Sequence, residues 1–265
     1  VAPRSQKIGR RGLLPDTHAH LDAAEFADDR TEVVTRACAA GVTRILAVGT
    51  DLTSSAAALA LAEDHPPVFA AAGLHPTEAH KWSDESGGLR DLLGSRKAVA
   101  VGEIGLDFVR ASATRDEQIR VFRTQLQWAA DYELPVSVHN RGADDEVLDE
   151  VDGLPVSVIL HCFSGSQAFA ERALASGCLL SFAGNVTFPR AGELREIAGA
   201  VPIDRILLES DAPVLAPQPW RGRRNEPAYT RFTAETVSEA RGVALEDLAA
   251  QVSRSADALF RWGTA

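Results

Sequence analysis

Short apolar runs recur along the chain, separated by longer stretches in which apolar residues return every three or four positions. The runs are L-L-P-D-T-H (13–18), T-R-I-L-A-V-G (43–49), V-F-A-A-A-G-L (68–74), A-V-A-V-G-E (98–103), P-V-S-V-H (135–139), V-S-V-I-L-H (156–161), C-L-L-S-F (178–182) and R-I-L-L-E-S-D (205–211). Continuous apolarity, as opposed to alternation, is what strands buried on both faces show. Between them the period predicts helices over 28–40, 53–64, 84–94, 115–132, 143–150, 166–176, 190–199, 230–241 and 245–261. Gly41 supplies a stop for the first of these, and Thr53 takes the N-cap role in the second. Over 115–132, Ile119, Phe122, Leu126 and Ala129 share one face.

Strand and helix alternate throughout, which implies a parallel sheet. Eight such repeats predict an α/β fold, a (β/α)8 TIM barrel as a single domain over 13–265. An open doubly wound sheet is the alternative, but no glycine-rich phosphate turn follows the first strand. Residues 1–12, basic and without the apolar core of a secretory signal, read as a flexible N-terminal tail.

The polar residues sharpen this picture by where they fall. At or near the C-terminal ends of the predicted strands stand His18, His20, His75, Glu103, His139, His161 and Asp211. Barrel active sites are assembled from that face. Five of the chain's seven histidines are there, leaving His65 and His80 as surface residues. Residues i and i+2 of a strand share a face, so His18 and His20 can converge on one ion. His139, His161 and Asp211 close the site from other strands. Imidazole and carboxylate donors together suit zinc, manganese, nickel or similar divalent ions. Six ligands exceed the need of one tetrahedral ion, so Glu103 is expected to bridge two.

Composition narrows the chemistry. A formal charge of −10, from 27 basic and 37 acidic residues, argues against broad wrapping of a polyanion. It leaves room for an enzyme that holds nucleic acid locally. Lysine occurs only at Lys7, Lys81 and Lys97, so no lysine carbamate is available near the end of strand four or five, and Glu103 is the available bridge. Ser164 lies outside any G-x-S-x-G elbow, which disfavours serine chemistry. Cys38, Cys162 and Cys178 show no CxxC spacing and indicate a reducing, cytoplasmic setting; Cys162, next to His161, is expected to face away and pack. No apolar run is long enough to span a membrane. Arg221, Arg223 and Arg224 form a concentrated positive cluster after strand eight, fit for phosphate.

Seven motifs in order, D-T-H-A-H-L-D (16–22), G-L-H-P (73–76), G-E-I-G-L-D (102–107), V-H-N-R (138–141), H-C-F-S-G (161–165), E-S-D-A-P (209–213) and R-N-E-P-A-Y (224–229), resemble the TatD family of metal-dependent deoxyribonucleases. The resemblance runs from about residue 14 to the C-terminus. It implies a barrel with two divalent ions (zinc, manganese, magnesium or nickel) that hydrolyses single-stranded DNA from the 3′ end. It places His18, His20, Glu103, His139, His161 and Asp211 as ligands, with Glu103 bridging and Asp211 also accepting a proton from the attacking water. His75 matches a histidine near the substrate phosphate, and Arg141 and Arg224 match arginines at the mouth. Asn225 beside Arg224 is read with the substrate contacts; holding its loop in shape, together with Glu226, is the alternative. Thr77, Ser255–Ala256 and D-F-V-R-A-S (107–112) depart from the usual family pattern, the first and third in loops that bear on substrate preference.

Two other functions stay open at this level: ester hydrolysis of D-aminoacyl-tRNA at the same metal site, and a non-catalytic scaffold. Oligomeric state is open as well, a monomer being compatible with the chain.

Overall fold

The computed structural model describes residues 13–262; the tail predicted over 1–12 lies outside the described residues. Eight strands, β1 (Leu14–Ala19), β2 (Val42–Val48), β3 (Val68–Ala72), β4 (Ala98–Asp107), β5 (Val136–Arg141), β6 (Val158–Leu160), β7 (Leu179–Phe182) and β8 (Ile206–Leu208), pair in parallel in sequential order. Helices α1 (Arg30–Ala39), α2 (Leu52–Asp64), α3 (Trp82–Leu92), α4 (Arg115–Tyr132), α5 (Asp144–Val151), α6 (Gln167–Ala175), α7 (Gly192–Ala200) and α8 (Thr230–Arg241) follow the strands in turn, and α9 (Leu245–Phe260) is the last helix among the described residues. The architecture is the expected TIM barrel.

The seam between first and last strands is closed just past β8. Ala19 bridges Ala212, the Asp211 amide donates to the His18 carbonyl at 2.9 Å, and the His20 amide donates to the Ala212 carbonyl at 2.8 Å. Asp16, wholly buried, reinforces the seam by accepting from the Ser210 amide at 2.7 Å and its hydroxyl at 2.6 Å. Burial pushes the Asp16 carboxyl up to about 8, against the pull of those two hydrogen bonds. The seam thus joins the segments carrying His18, His20 and Asp211.

α9 has no strand to follow and does a different job. Its Ala256 and Phe260, with Trp262, pack on Phe69, Val99 and Leu179 at the starts of β3, β4 and β7. The N-terminal end of the barrel is therefore plugged, leaving the C-terminal end for chemistry.

α4 keeps its expected bounds, with Phe122, Leu126 and Ala129 buried and Ile119 packed at the edge of the core. Two buried glutamines on the same helix hold strand ends in place. Gln125 accepts from the Leu74 amide at 2.7 Å and donates to its carbonyl at 3.1 Å, and the Gln118 side chain accepts from the Asp107 amide at 2.9 Å. The N-cap of α2 is Asp51 in place of the expected Thr53. Asp51 has an extended backbone, so its carboxylate accepts from the Ser54 amide at 2.8 Å, while Thr53 falls inside the first turn, exposed.

Candidate metal centre

All the donors but Glu103 come from the end or margin of a strand, and local backbone decides how each points. His18 lies within β1 and His20 just beyond it, on one face as their spacing requires. Glu103 sits inside β4, where the register with β5 breaks between Val101 and Ile104, and its amide donates to the Gly49 carbonyl at 2.8 Å. Two residues on, Gly105 pairs with His139 with φ +138°, and a Cβ there would stand 2.0 Å from the His139 carbonyl oxygen. Only glycine permits that approach. Asp211, three residues past β8, has φ +54°, a left-handed turn that an aspartate tolerates.

Five imidazoles surround the Glu103 carboxylate. His161 Nε2 is 2.8 Å, His139 Nδ1 2.9 Å and His75 Nε2 3.3 Å from Oε1, while His18 Nε2 and His20 Nε2 are each 3.6 Å from Oε2. Asp211 Oδ1 lies 3.6 Å from His20 Nε2. Burial works to raise the Glu103 pKa, but the charges of His161 and His75 and hydrogen bonds from His139 and His161 outweigh it, holding the carboxylate well below its usual range. Burial lowers the pKa values of His18 and His139, favouring neutral imidazole, the form that binds metal. Burial raises Asp211, with His161, His18 and His20 pulling the other way.

The remaining ring nitrogens have partners of their own. His20 Nδ1 is 2.9 Å from the Val48 carbonyl, His18 Nδ1 is 3.1 Å from the Ser137 hydroxyl, and His161 Nδ1 is 3.3 Å from Glu209. Outer partners of this kind fix the tautomer and aim the free nitrogen. Nitrogen and oxygen donors fall into three groups, each within 4.8 Å: His18, His20 and Asp211; His75, Glu103 and His139; His18, His161 and Glu209. A buried, converging N/O donor set whose other ring nitrogens are already bonded fits divalent cations.

The structure brings together all seven of the expected polar residues, from His18 to Asp211. Arg141, at the end of β5, lines a cleft of about 560 Å³ beside His161, together with Asn140, Cys162, Ser164 and Gly165, and its Nε is 3.8 Å from Asp107. Two expectations need correction. Asn225 is fully buried, and its amide donates to the Ser210 and Val214 carbonyls, both at 2.7 Å. It holds the loop around Asp211 and has no exposed surface to offer as a substrate contact. Arg224 is tied to Asp29 at 2.7 and 2.8 Å and to Glu226 at 3.3 Å, so its guanidinium fork is committed to carboxylates within the protein. Cys162 also departs from its expected role. A left-handed backbone (φ +45°) breaks the alternation after β6, and Cys162 lines the cleft, where burial, with the charges of Asp211 and Glu209, pushes its thiol well above the usual range. His65 is half-buried at the end of α2 and His80 is exposed.

Two further carboxylates, beyond those the strand ends predict, stand against the centre. Glu209, wholly buried, accepts from the Cys162 amide at 2.8 Å and from the Ser181 hydroxyl as well as facing His161. Asp107 accepts from the Val109 and Arg110 amides at 2.9 and 2.7 Å and stands 3.2 Å from His139 Nε2. The i, i+2 rule that paired His18 with His20 also pairs Glu209 with Asp211, and was the available signal.

The TatD related DNase family matches residues 15–261. An uncharacterized metal-dependent hydrolase, YabD of Bacillus subtilis, is 38% identical over 253 residues, covering 94% of this chain and 99% of YabD. A 3'-5' ssDNA/RNA exonuclease TatD of a Pantoea species is 41% identical over 256 residues, covering 93% and 98%. The crystal structure of YJJV, a TatD homolog from Escherichia coli, superposes with a TM-score of 0.86 at 34% identity, covering 96% and 99%.

Proposed function

The chain belongs to the TatD related DNase family of metal-dependent hydrolases, and from that premise we propose that it hydrolyses phosphodiester bonds of single-stranded DNA from the 3′ end at a two-metal site. The observation that carries this reading is the cage of five imidazoles around Glu103, with Asp211 on its rim. His18, His20, Glu103 and Asp211 would hold one ion, and Glu103, His139 and His161 the other. Bound divalent ions supply Lewis acidity, lowering the pKa of water and offsetting charge on the phosphate.

The protein's own groups account for the rest. Asp211 accepts the proton of the attacking water on its carboxylate, its pKa set between burial and three imidazoles. The Thr77 amide donates to His75 Nδ1 at 3.2 Å, which leaves the proton on Nε2, facing the centre, where it can donate to a phosphate oxygen. Arg141, on the cleft wall, offers its planar fork to the neighbouring phosphate. The free thiols of Cys38, Cys162 and Cys178 suit work in the reducing cytoplasm. Among the described residues no helix is long and apolar enough to cross a membrane.

The test is an end-labelled single-stranded oligonucleotide incubated with manganese or magnesium. Stepwise shortening from the 3′ end, abolished by chelator, is the expected result. Deacylation of a D-aminoacyl-tRNA with no loss of oligonucleotide would overturn the reading in favour of ester hydrolysis on tRNA.

A further inference from the structure

Beside the cleft that holds Arg141 and His161 lies a second, of about 340 Å³, and the two share Ser164 and Gly165. Asn185, Phe188 and Arg190, from the segment between β7 and α7, and Glu193, in the first turn of α7, line its far side. Arg221, from the loop after β8, lays its guanidinium over the Phe188 ring, 4.4 Å from the centroid. Resting on the nuclease reading, we propose that this second cleft is a nucleotide subsite. A base of the single-stranded substrate would stack on the Phe188–Arg221 pair, and Arg190 and Arg221 would take the adjoining phosphates.

Three observations support it. First, the loops are held rigid. The Gln218 amide donates to the Thr187 hydroxyl at 2.9 Å, and Arg195 donates to the Val186 and Phe188 carbonyls at 3.0 and 2.8 Å. Gly184 lies so close to the Leu215 carbonyl that a Cβ would approach it to 2.1 Å. Phe188 and Arg221 are therefore presented on a fixed frame, which reduces the ordering cost of binding.

Second, these arginines are available. Arg190 and Arg221 are exposed and have no carboxylate partner among the described residues, whereas Arg36, Arg172 and Arg224 are all ion-paired. In a protein of net charge −10, unpaired arginines around an apolar floor form a local match to a polyanion, with Glu193 as the one carboxylate among the lining residues named above. Third, half-buried Asn185 lines the cleft, and its side-chain oxygen has no hydrogen-bond partner. Aromatic and guanidinium planes beside a positive track are how single strands are held without sequence preference.

The experiment measures binding of a fluorescent single-stranded oligonucleotide by anisotropy, on full-length protein in chelator so that nothing is cleaved. An oligonucleotide of equal length with abasic positions runs in parallel. Phe188→Ala and Arg221→Ala are each expected to weaken binding of the normal oligonucleotide about ten-fold and to erase its advantage over the abasic one. Arg190→Ala should reduce the slope of log affinity against log salt by about 0.7. Arg96→Ala, removing an equal charge from an exposed site before β4 at the opposite end of the barrel, controls for net charge. Equal affinity for normal and abasic strands, or unchanged binding in both Phe188→Ala and Arg221→Ala of a protein that shortens oligonucleotides with manganese, overturns the subsite and leaves the nuclease reading standing. Base-dependent binding by a protein that cleaves no nucleic acid with any metal supports the subsite and overturns the nuclease reading.

Discussion

Glu209 Oε1 lies 3.3 Å from His161 Nδ1 and 2.8 Å from the Cys162 amide nitrogen, deep enough that no part of the glutamate meets solvent. One carboxylate oxygen thus orients an imidazole and pins the backbone beside it. His161 Nε2 in turn reaches Glu103 at 2.8 Å. Carboxylate, histidine and centre form a line in which the outer member sets the direction of the inner one.

Glu209→Gln keeps the size and removes the charge. We expect manganese affinity, read by titration calorimetry, to fall about 10- to 100-fold while circular dichroism stays that of the parent. Parental affinity in a folded variant would show that His161 is aimed by packing alone.

Asp211→Asn separates proton acceptance from binding. The amide oxygen can still lie against a cation, but it cannot take a proton from water. kcat should fall about 10²- to 10⁴-fold with metal content, measured by elemental analysis, nearly retained. If activity survives, the proton acceptor is elsewhere.

Gly105→Ala tests the backbone fit beside the centre. Both the left-handed φ and the 2.0 Å approach to the His139 carbonyl oppose a Cβ. A loss of about 3 kcal/mol or more in urea unfolding is expected, with weakened metal binding, because β4 must move away from the strand carrying His139.

Asp51 links the start of α2 to Lys81, whose ammonium is 2.7 Å away, just past the His75 loop. Burial works to raise the Asp51 carboxyl, but Lys81 and the bonds from Ser54 hold it below its usual value. A depressed folded-state pKa means stability that is present above the unfolded value, about 3.9, and is lost as pH falls through the folded value. Asp51→Ala should therefore cost about 1 kcal/mol at neutral pH, and the gap from the parent should narrow on acidification below pH about 4. Urea melts across that range read it directly; a gap independent of pH would assign the effect to capping by neutral groups.

The barrel and the inner cage were legible in the chain because both follow from short-range rules. Continuous apolar runs mark doubly buried strands, so the strand ends could be found, and the chemistry concentrates at those ends. His18 and His20 needed only the two-residue period of a strand. α4 could be bounded from its apolar stripe, yet the same stripe said nothing of Gln118 and Gln125, whose partners at Asp107 and Leu74 are reached only after the helix docks.

What tertiary structure alone decided is which polar groups are already engaged. Arg224 and Arg221 look alike in R-G-R-R-N, but closing the barrel sets Arg224 against Asp29, 195 positions away, and leaves Arg221 on Phe188 facing solvent. Asn225 was drawn inward by the Ser210 and Val214 carbonyls, and Cys162 was brought to the cleft by its own left-handed backbone, which no alternation rule anticipates. The sequence determined the residue types and the strand ends they occupy, since side-chain periodicity is local. Ion pairing and the burial of carboxylates depend on distances across the closed barrel, and those exist only once eight strands have met.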